Sequence, residues 1–230
     1  MSEQSVFLIT GASKGLGRSI CEILANKGYI VVGLARQSSE LAELDTFLKK
    51  YNDKSCAIAC DLSVPELVNN TAGEIVKRFP AIHGIIHNAG IIGPVGNIFT
   101  VDEAKWNETL VVNLVSVQQL TRVLYPAMVN AGRCRVTTIS SGAAVNSLES
   151  WSAYCTSKAG LDMWTRCLAD EGGNDGISAV SIAPGIVDTD MQATIRSADR
   201  SDFPMVERFI QFHKNGDLVS PDKVANTPVS

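Results

Sequence analysis

The sequence predicts an α/β fold built on one doubly wound parallel sheet with helices on both faces. Short apolar runs alternate with helical patterns along most of the chain. The runs are rich in β-branched residues, as in Ile30-Val31-Val32, which suits strands buried on both faces. At 230 residues and 45% hydrophobic composition, the chain holds enough apolar material for one sizeable core and too little for two ordinary domains. A single domain over residues 1–230 is therefore expected.

The elements follow in order. Residues 6–10 read as a strand, and a glycine-rich turn leads into a helix over 16–26 with Ile20, Ile23 and Leu24 on one face. A strand over 29–35, a helix over 40–51 and a strand over 55–60 come next. Residues 65–79 form a helix carrying Leu67, Ile75 and Val76, and residues 82–87 a fourth strand. One long helical stretch covers 103–129, followed by a strand over 135–140, a helix over 153–171 and a sixth strand over 177–182. Sheets of this kind bind ligands outside the carboxyl ends of their strands. The loops after Ile9, Leu34, Cys60, Ile86, Ile139 and Ile182 are thus expected to line a site.

Composition narrows the partners. A formal net charge of −4 and no dense Lys/Arg run give no electrostatic footprint for nucleic acid. Six cysteines occur without a C-x-x-C pair and beside only three histidines, so no metal site and no redox motif is expected. Reduced thiols in a cytoplasmic protein are the expectation. No basic leader opens the chain and no run approaches about 18 apolar residues, so no membrane partner is expected. A small molecule is the expected ligand.

Residues 10–17, TGASKGLG, lie between the first strand and the first helix. Glycines there permit a tight turn, and backbone N–H groups at a helix N-terminus can meet a pyrophosphate, which selects Gly11, Ser13, Lys14, Gly15, Leu16 and Gly17. Close packing alone would also explain such a turn. The end of the second strand decides between dinucleotides, because an acidic residue there accepts from a ribose 2′-OH whereas arginine pairs with a 2′-phosphate. Here the residue is Arg36, with no Asp or Glu beside it, and Lys14 offers a second cation. The expected cofactor is NADP(H). Asp61, followed by Leu62, closes the third strand and either accepts from the adenine amino group or caps the next helix with Ser63. Asn88, Ala89 and Gly90 follow the fourth strand, where small residues let the backbone approach the ribose.

Tyr154 and Lys158 are four residues apart in a helical stretch and share a face. A phenol has a reference pKa of about 10, and a nearby ammonium favours its ionised form. By itself the pair reads as a snorkelling lysine beside a half-buried tyrosine. Ser141 gives it meaning: it ends the fifth strand at the same rim and can donate to a carbonyl oxygen where charge develops.

Taken together, TGxxxGxG at residues 10–17, HNAG at 87–90, Asn113, Ser141, Tyr154 with Lys158, and Pro184-Gly185 make the chain resemble the short-chain dehydrogenase/reductase family over nearly its whole length. The resemblance implies a Rossmann-type fold, hydride exchange between NADP(H) and a carbonyl, and a catalytic tetrad. In it Tyr154 is the acid/base, Lys158 binds the nicotinamide ribose and lowers the tyrosine pKa, and Ser141 polarises the carbonyl. Asn113 holds a helix irregularity and a water relay, while Pro184, Gly185, Val187 and Thr189 enclose the carboxamide end. Residues 150–154 and 183–192 are similar to those of fungal benzil reductases and, more distantly, sepiapterin reductases. That likeness implies a vicinal diketone such as benzil, reduced to benzoin, meeting Ser141, Tyr154, Trp151 and Met191. The rival is a non-catalytic NADP(H)-binding sensor or interaction protein of the same fold, which loss of a tetrad member would mark.

Two features depart from the family pattern. His87 replaces the usual asparagine ahead of Asn88 and is not assigned to catalysis. The sequence ends at Ser230 on a polar stretch carrying Pro228, without the last strand and helix that the family usually adds. The expectation is a sheet lacking that strand, with an exposed edge and part of the pocket floor missing. That strand often joins subunits in the family, and a homodimer is one assembly the resemblance admits. A pterin is disfavoured against a small diketone, because its acidic anchor would lie beyond this end.

Overall fold

A computed structural model describes residues 5–227. Its centre is β1 (Val6–Thr10), hydrogen-bonded on one side to β2 (Ile30–Ala35) and on the other to β4 (Gly84–His87). With β3 (Cys56–Ala59), β5 (Cys134–Ile139) and β6 (Ile177–Ile182), these strands form one parallel sheet in the order β3-β2-β1-β4-β5-β6. Register places Leu8 beside Val32 and Ile85. The doubly wound Rossmann-type sheet expected from the sequence is the sheet observed.

Side chains alternate between two buried faces. On one face Leu8, Val32, Leu34, Ile85 and Val136 pack with Val68, Ala72 and Ile75 of α3 (Pro65–Arg78) and with Leu120, Leu124 and Met128 of α5 (Ser116–Asn130). On the other, Ile9 and Val31 pack with Cys21 and Ala25 of α1 (Gly15–Asn26) and with Leu41, Leu44 and Leu48 of α2 (Ser39–Tyr51). Burying each such aliphatic side chain contributes roughly 1.5–3 kcal/mol. The two-sided burial explains why these strands read as continuous apolar runs.

Local chemistry sets the element ends. Ser38 accepts from the Leu41 N–H at 3.2 Å and starts α2, and Pro65 occupies the first turn of α3. The sequence reading began the third strand at Ser55. Its hydroxyl instead accepts from the Val31 N–H at 3.0 Å, and pairing starts at Cys56.

The long helix expected over 103–129 is not continuous. Asp102 caps α4 (Glu103–Leu110), accepting from the Lys105 N–H at 3.0 Å, and a π-helical turn over Val111–Val115 separates it from α5. The extra residue in that turn re-aims Asn113 inward.

His87 ends β4 and is buried. Its Nε2 lies 2.9 Å from Thr121 Oγ1 on α5, and its ring meets Trp164 edge-on at 6.2 Å. The Thr121 hydroxyl donates to the Val117 carbonyl, so Nε2 carries the hydrogen and donates to Thr121. His87 thereby ties β4 to α5.

After β6 come α7 (Asp190–Arg196), α8 (Val206–Lys214) and α9 (Pro221–Ala225), none of which the sequence reading had marked. Ile195, Val206 and Phe209 from α7 and α8 join Phe203, Trp151 and Tyr154 in a third apolar cluster over the strand ends. Val219 donates to the Ile186 carbonyl and accepts from the Asp188 N–H, each at 2.9 Å. α9 then docks on α1, where Ser19 Oγ donates to Asp222 Oδ1 at 2.6 Å. The loop after β6 is thus fastened to α1. Among the described residues the sheet has six strands with β6 at its edge; Pro228 and the rest of 228–230 lie outside those residues. No helix among the described residues is long and apolar enough to cross a membrane.

Candidate active site

The glycine turn after β1 is shaped for backbone approach. Gly11 sits at φ +66°, a left-handed conformation, and a Cβ on Gly17 would fall 2.3 Å from the Gly11 carbonyl oxygen. Thr10 Oγ1 accepts from the N–H groups of Asn88 and Ala89, each at 3.0 Å, and Asn88 Nδ2 donates to the Thr10 carbonyl at 2.9 Å. These bonds join the turn to the loop after β4. α1 starts at this turn without a side-chain cap from Lys14 and without an acidic residue in its first turn. Among the described residues, the N–H groups of Gly15, Leu16 and Gly17 have no acceptor. Unpaired donors at the positive end of a 12-residue helix, in a cradle no side chain fills, fit a pyrophosphate.

The cations expected to read a 2′-phosphate are nearby but differ in state. Arg36 is exposed just past β2 and makes no hydrogen bond or ion pair among the described residues. Lys14 is paired, its Nζ 2.8 Å from Glu40 Oε1 and 3.8 Å from Asp190 Oδ2. The hydrogen bond from Lys14 holds the Glu40 carboxyl down at about 2. Asp61 Oδ1 accepts from the backbone N–H and hydroxyl of Ser63, at 2.9 and 2.7 Å, which lowers its pKa. It organises the turn before α3 and is not the cap residue, which is Val64. Leu62 turns its side chain into the core, leaving only its backbone for a ligand.

At the other end, Ser141 follows β5 and starts a short turn over Gly142–Ala144, its Oγ accepting from the Ala143 N–H at 3.2 Å. Tyr154 and Lys158 lie one turn apart on α6 (Ser152–Gly172), 7% and 3% exposed. Lys158 Nζ donates to the Ile139 carbonyl at 2.7 Å and stands 5.7 Å from the Tyr154 ring centre. Burial pushes the Lys158 ammonium down to about 8. Asn113, fully buried, accepts from the Ile91 N–H at 2.8 Å. It donates to the Ile91 carbonyl at 2.9 Å and to Ser157 Oγ at 3.0 Å. Ser157 in turn donates to the Tyr154 carbonyl at 2.8 Å. Asn113 therefore braces the loop after β4 against α6. Ser157, between the tyrosine and the lysine, was not singled out from the sequence; its place one turn after Tyr154 was the available signal.

One electrostatic expectation is reversed. Lys158 was expected to draw the tyrosine pKa down, yet burial holds the Tyr154 phenol above its usual value, with a hydrogen bond to Ser141 as the opposing influence. The ammonium is directed at the Ile139 carbonyl and is not among the influences on the phenol, of which desolvation is the largest. A buried phenol of this kind keeps its proton at neutral pH, as a proton donor requires.

A cavity of about 1130 Å³ connects the two ends. Its wall includes Gly11, Lys14, Gly15, Leu16, Asn88, Ala89 and Gly90 at one end and Ser141, Trp151, Tyr154 and Lys158 at the other. Pro184, Gly185, Val187, Thr189 and Met191 border it from the loop after β6. Ser13, Gly17, Arg36, Asp61, Leu62 and Asn113 stand off the wall: Gly17 under the turn, Asn113 behind Gly90. The apolar end is completed by Met205, just before α8, and by Phe209 and Phe212 on it, which the sequence does not mark because a 9-residue helix offers too few turns for a repeating pattern.

Known proteins resemble this chain along almost its full length. It is 34% identical over 231 residues to a benzil reductase ((S)-benzoin forming) of Bacillus subtilis (strain 168), covering 98% of this chain and 92% of that protein. The crystal structure of the KRED1-Pglu enzyme superposes with a TM-score of 0.88 at 35% identity, covering 96% of this chain and 92% of that one. A metagenomic short-chain oxidoreductase in complex with NADP superposes with a TM-score of 0.77 at 26% identity, covering 96% and 87%. Residues 5–200 match the family model described as short chain dehydrogenase, and with the parallel sheet, the glycine turn and the serine, tyrosine and lysine around one cavity, the chain belongs to the short-chain dehydrogenase family.

Proposed function

We propose that the protein is a single-domain, NADPH-dependent carbonyl reductase that acts on a vicinal diketone such as benzil, giving benzoin. One observation carries the reading: Ser141, Tyr154 and Lys158 share the wall of a cavity whose other end is an uncapped helix N-terminus in a glycine cradle. The likeness to a benzil reductase supports the substrate, and the NADP-bound relative supports the cofactor. A cytoplasmic setting, where NADPH and free thiols coexist, accords with it.

The cofactor, when bound, supplies the hydride that reduces the carbonyl carbon. The N–H groups of Ser13, Gly15, Leu16 and Gly17 would hold its phosphates, and Arg36, the unpaired cation, would take the 2′-phosphate, joined by Lys14 where it leaves Glu40. Asp61 and the backbone of Leu62 would meet the adenine. Asn88, Ala89, Gly90 and Lys158 would hold ribose hydroxyls, and Pro184, Gly185, Val187 and Thr189 would border the carboxamide. Ser141 donates to the substrate oxygen, and Tyr154 transfers its phenolic proton to that oxygen as charge develops there. Asn113 acts at one remove, by keeping the loop after β4 and α6 in register. Trp151 and Met191 form apolar wall around the substrate.

Initial rates with benzil and each reduced nicotinamide test the cofactor and substrate together. The wild type is expected to prefer NADPH. Arg36→Ala is expected to raise the KM for NADPH about tenfold, as loss of a charge-assisted hydrogen bond does, and to leave the KM for NADH unchanged. Equal rates with both cofactors, or no oxidation of NADPH in the presence of any diketone, would overturn the proposal.

A further inference from the structure

The glycine turn and the end of β2 meet at one corner of the cofactor cleft. Thr10 pairs with Leu34, and the Ala12 N–H donates to the Leu34 carbonyl at 3.0 Å. Arg36 and Gln37 follow β2, Ser38 caps α2, and Glu40 lies in the first turn of that helix. The Arg18 guanidinium donates to the Glu40 carbonyl at 3.3 Å and so ties this turn to α1. From that fixed backbone the Glu40 carboxylate reaches Lys14 Nζ at 2.8 Å, whereas the mostly exposed Asp190 stands at 3.8 Å. The closer pair holds both members charged, the Glu40 carboxyl lowered to about 2 and the Lys14 ammonium raised above its usual value. Lys14 is therefore engaged before any ligand arrives, and Arg36 makes no ion pair among the described residues.

We propose that Glu40 is a specificity-determining residue for the cofactor, which competes with the 2′-phosphate for Lys14 and so limits the preference for NADPH over NADH. This rests on the reading above, in which Arg36 and Lys14 serve that phosphate. To reach it, Lys14 must leave Glu40, and the carboxylate left behind then faces a group of its own sign. A cofactor with a free 2′-hydroxyl asks nothing of Lys14 and leaves the pair intact. Arg36 thus supplies the discrimination and Glu40 subtracts from it. The subtraction is modest, because the pair is partly exposed and screened by salt.

Calorimetric titration with adenosine 2′,5′-bisphosphate and with 5′-AMP reads this corner without the reaction. Glu40→Gln keeps the side-chain length and removes the charge. It is expected to tighten the bisphosphate about three- to fivefold at low ionic strength, and to leave 5′-AMP binding and the KM for NADH unchanged. In a Lys14→Gln background the same substitution is expected to lose most of that gain, because the carboxylate no longer has this cation to withhold. If Glu40→Gln leaves the bisphosphate unchanged or weakens it, tightens both ligands alike, or gains as much without Lys14, the competition is wrong while the NADPH reading stands. If the wild type binds the bisphosphate no more tightly than 5′-AMP, the NADPH reading fails and this inference falls with it.

Discussion

Tyr154→Phe is expected to lower kcat/KM for benzil reduction by about 10²–10⁴-fold, the usual contribution of a positioned proton donor. The substitution removes one hydroxyl and retains the ring against Trp151, so packing should change little. NADPH binding is expected to persist, because the glycine turn, Arg36 and Lys158 are untouched. The size of the effect follows from the environment of the hydroxyl. It is buried, bonded to Ser141 and held above its ordinary pKa, so no water of comparable acidity and placement replaces it. Titrating NADPH into the variant by fluorescence and following its oxidation with benzil separates the two properties. Equal rates for variant and wild type would remove Tyr154 from the chemistry.

The second large effect is on stability and has a definite pH window. Burial pushes His87 down to about 3, against about 6.5 in an unfolded chain. The unfolded state therefore binds the proton more readily than the folded state at every pH between these values. The stability contributed by the neutral ring is complete above about pH 6.5 and is lost as pH falls toward 3. Each pH unit within that window costs about 1.4 kcal/mol, so roughly 3 kcal/mol is gone near pH 4.5. Denaturant midpoints at pH 7, 6 and 5 should fall for the wild type. For His87→Gln, which has an N–H for Thr121 but does not titrate, they should stay level over the same range. Parallel curves for the two proteins would contradict the assignment of this slope to His87.

Much of the sheet was legible because its strands are buried on both faces, so runs such as Ile30-Val31-Val32 stand out without alternation. The site was legible because its residues follow strand ends in a fixed order, and the fold carries Gly11, Asn88, Ser141 and Tyr154 to one cavity. What stayed hidden depends on partners distant in sequence. The π-turn at Asn113 rests on bonds to Ile91, 22 residues away, so no local pattern marks it, and the family resemblance alone points to a helix irregularity there. The pairing of Lys14 with Glu40 joins the glycine turn to α2, past α1 and β2, so in the sequence Lys14 looks like a free cation. The Tyr154 pKa depends on burial, which spacing to Lys158 does not convey. The segment 190–225 holds helices of 7, 9 and 5 residues that pack Phe203, Val206 and Phe209 on Trp151, too few turns each for a repeating pattern to mark them.

The central claim is direct hydride delivery to a carbonyl held at Ser141 and Tyr154. NADPH deuterated at the transferable position of C4, incubated with the wild-type protein and benzil, measures it. The account predicts benzoin with deuterium on the carbinol carbon, in one-to-one ratio with NADPH consumed, and no such product from Tyr154→Phe over the same time. Benzoin without the label, or no benzoin while NADPH is consumed, would contradict it.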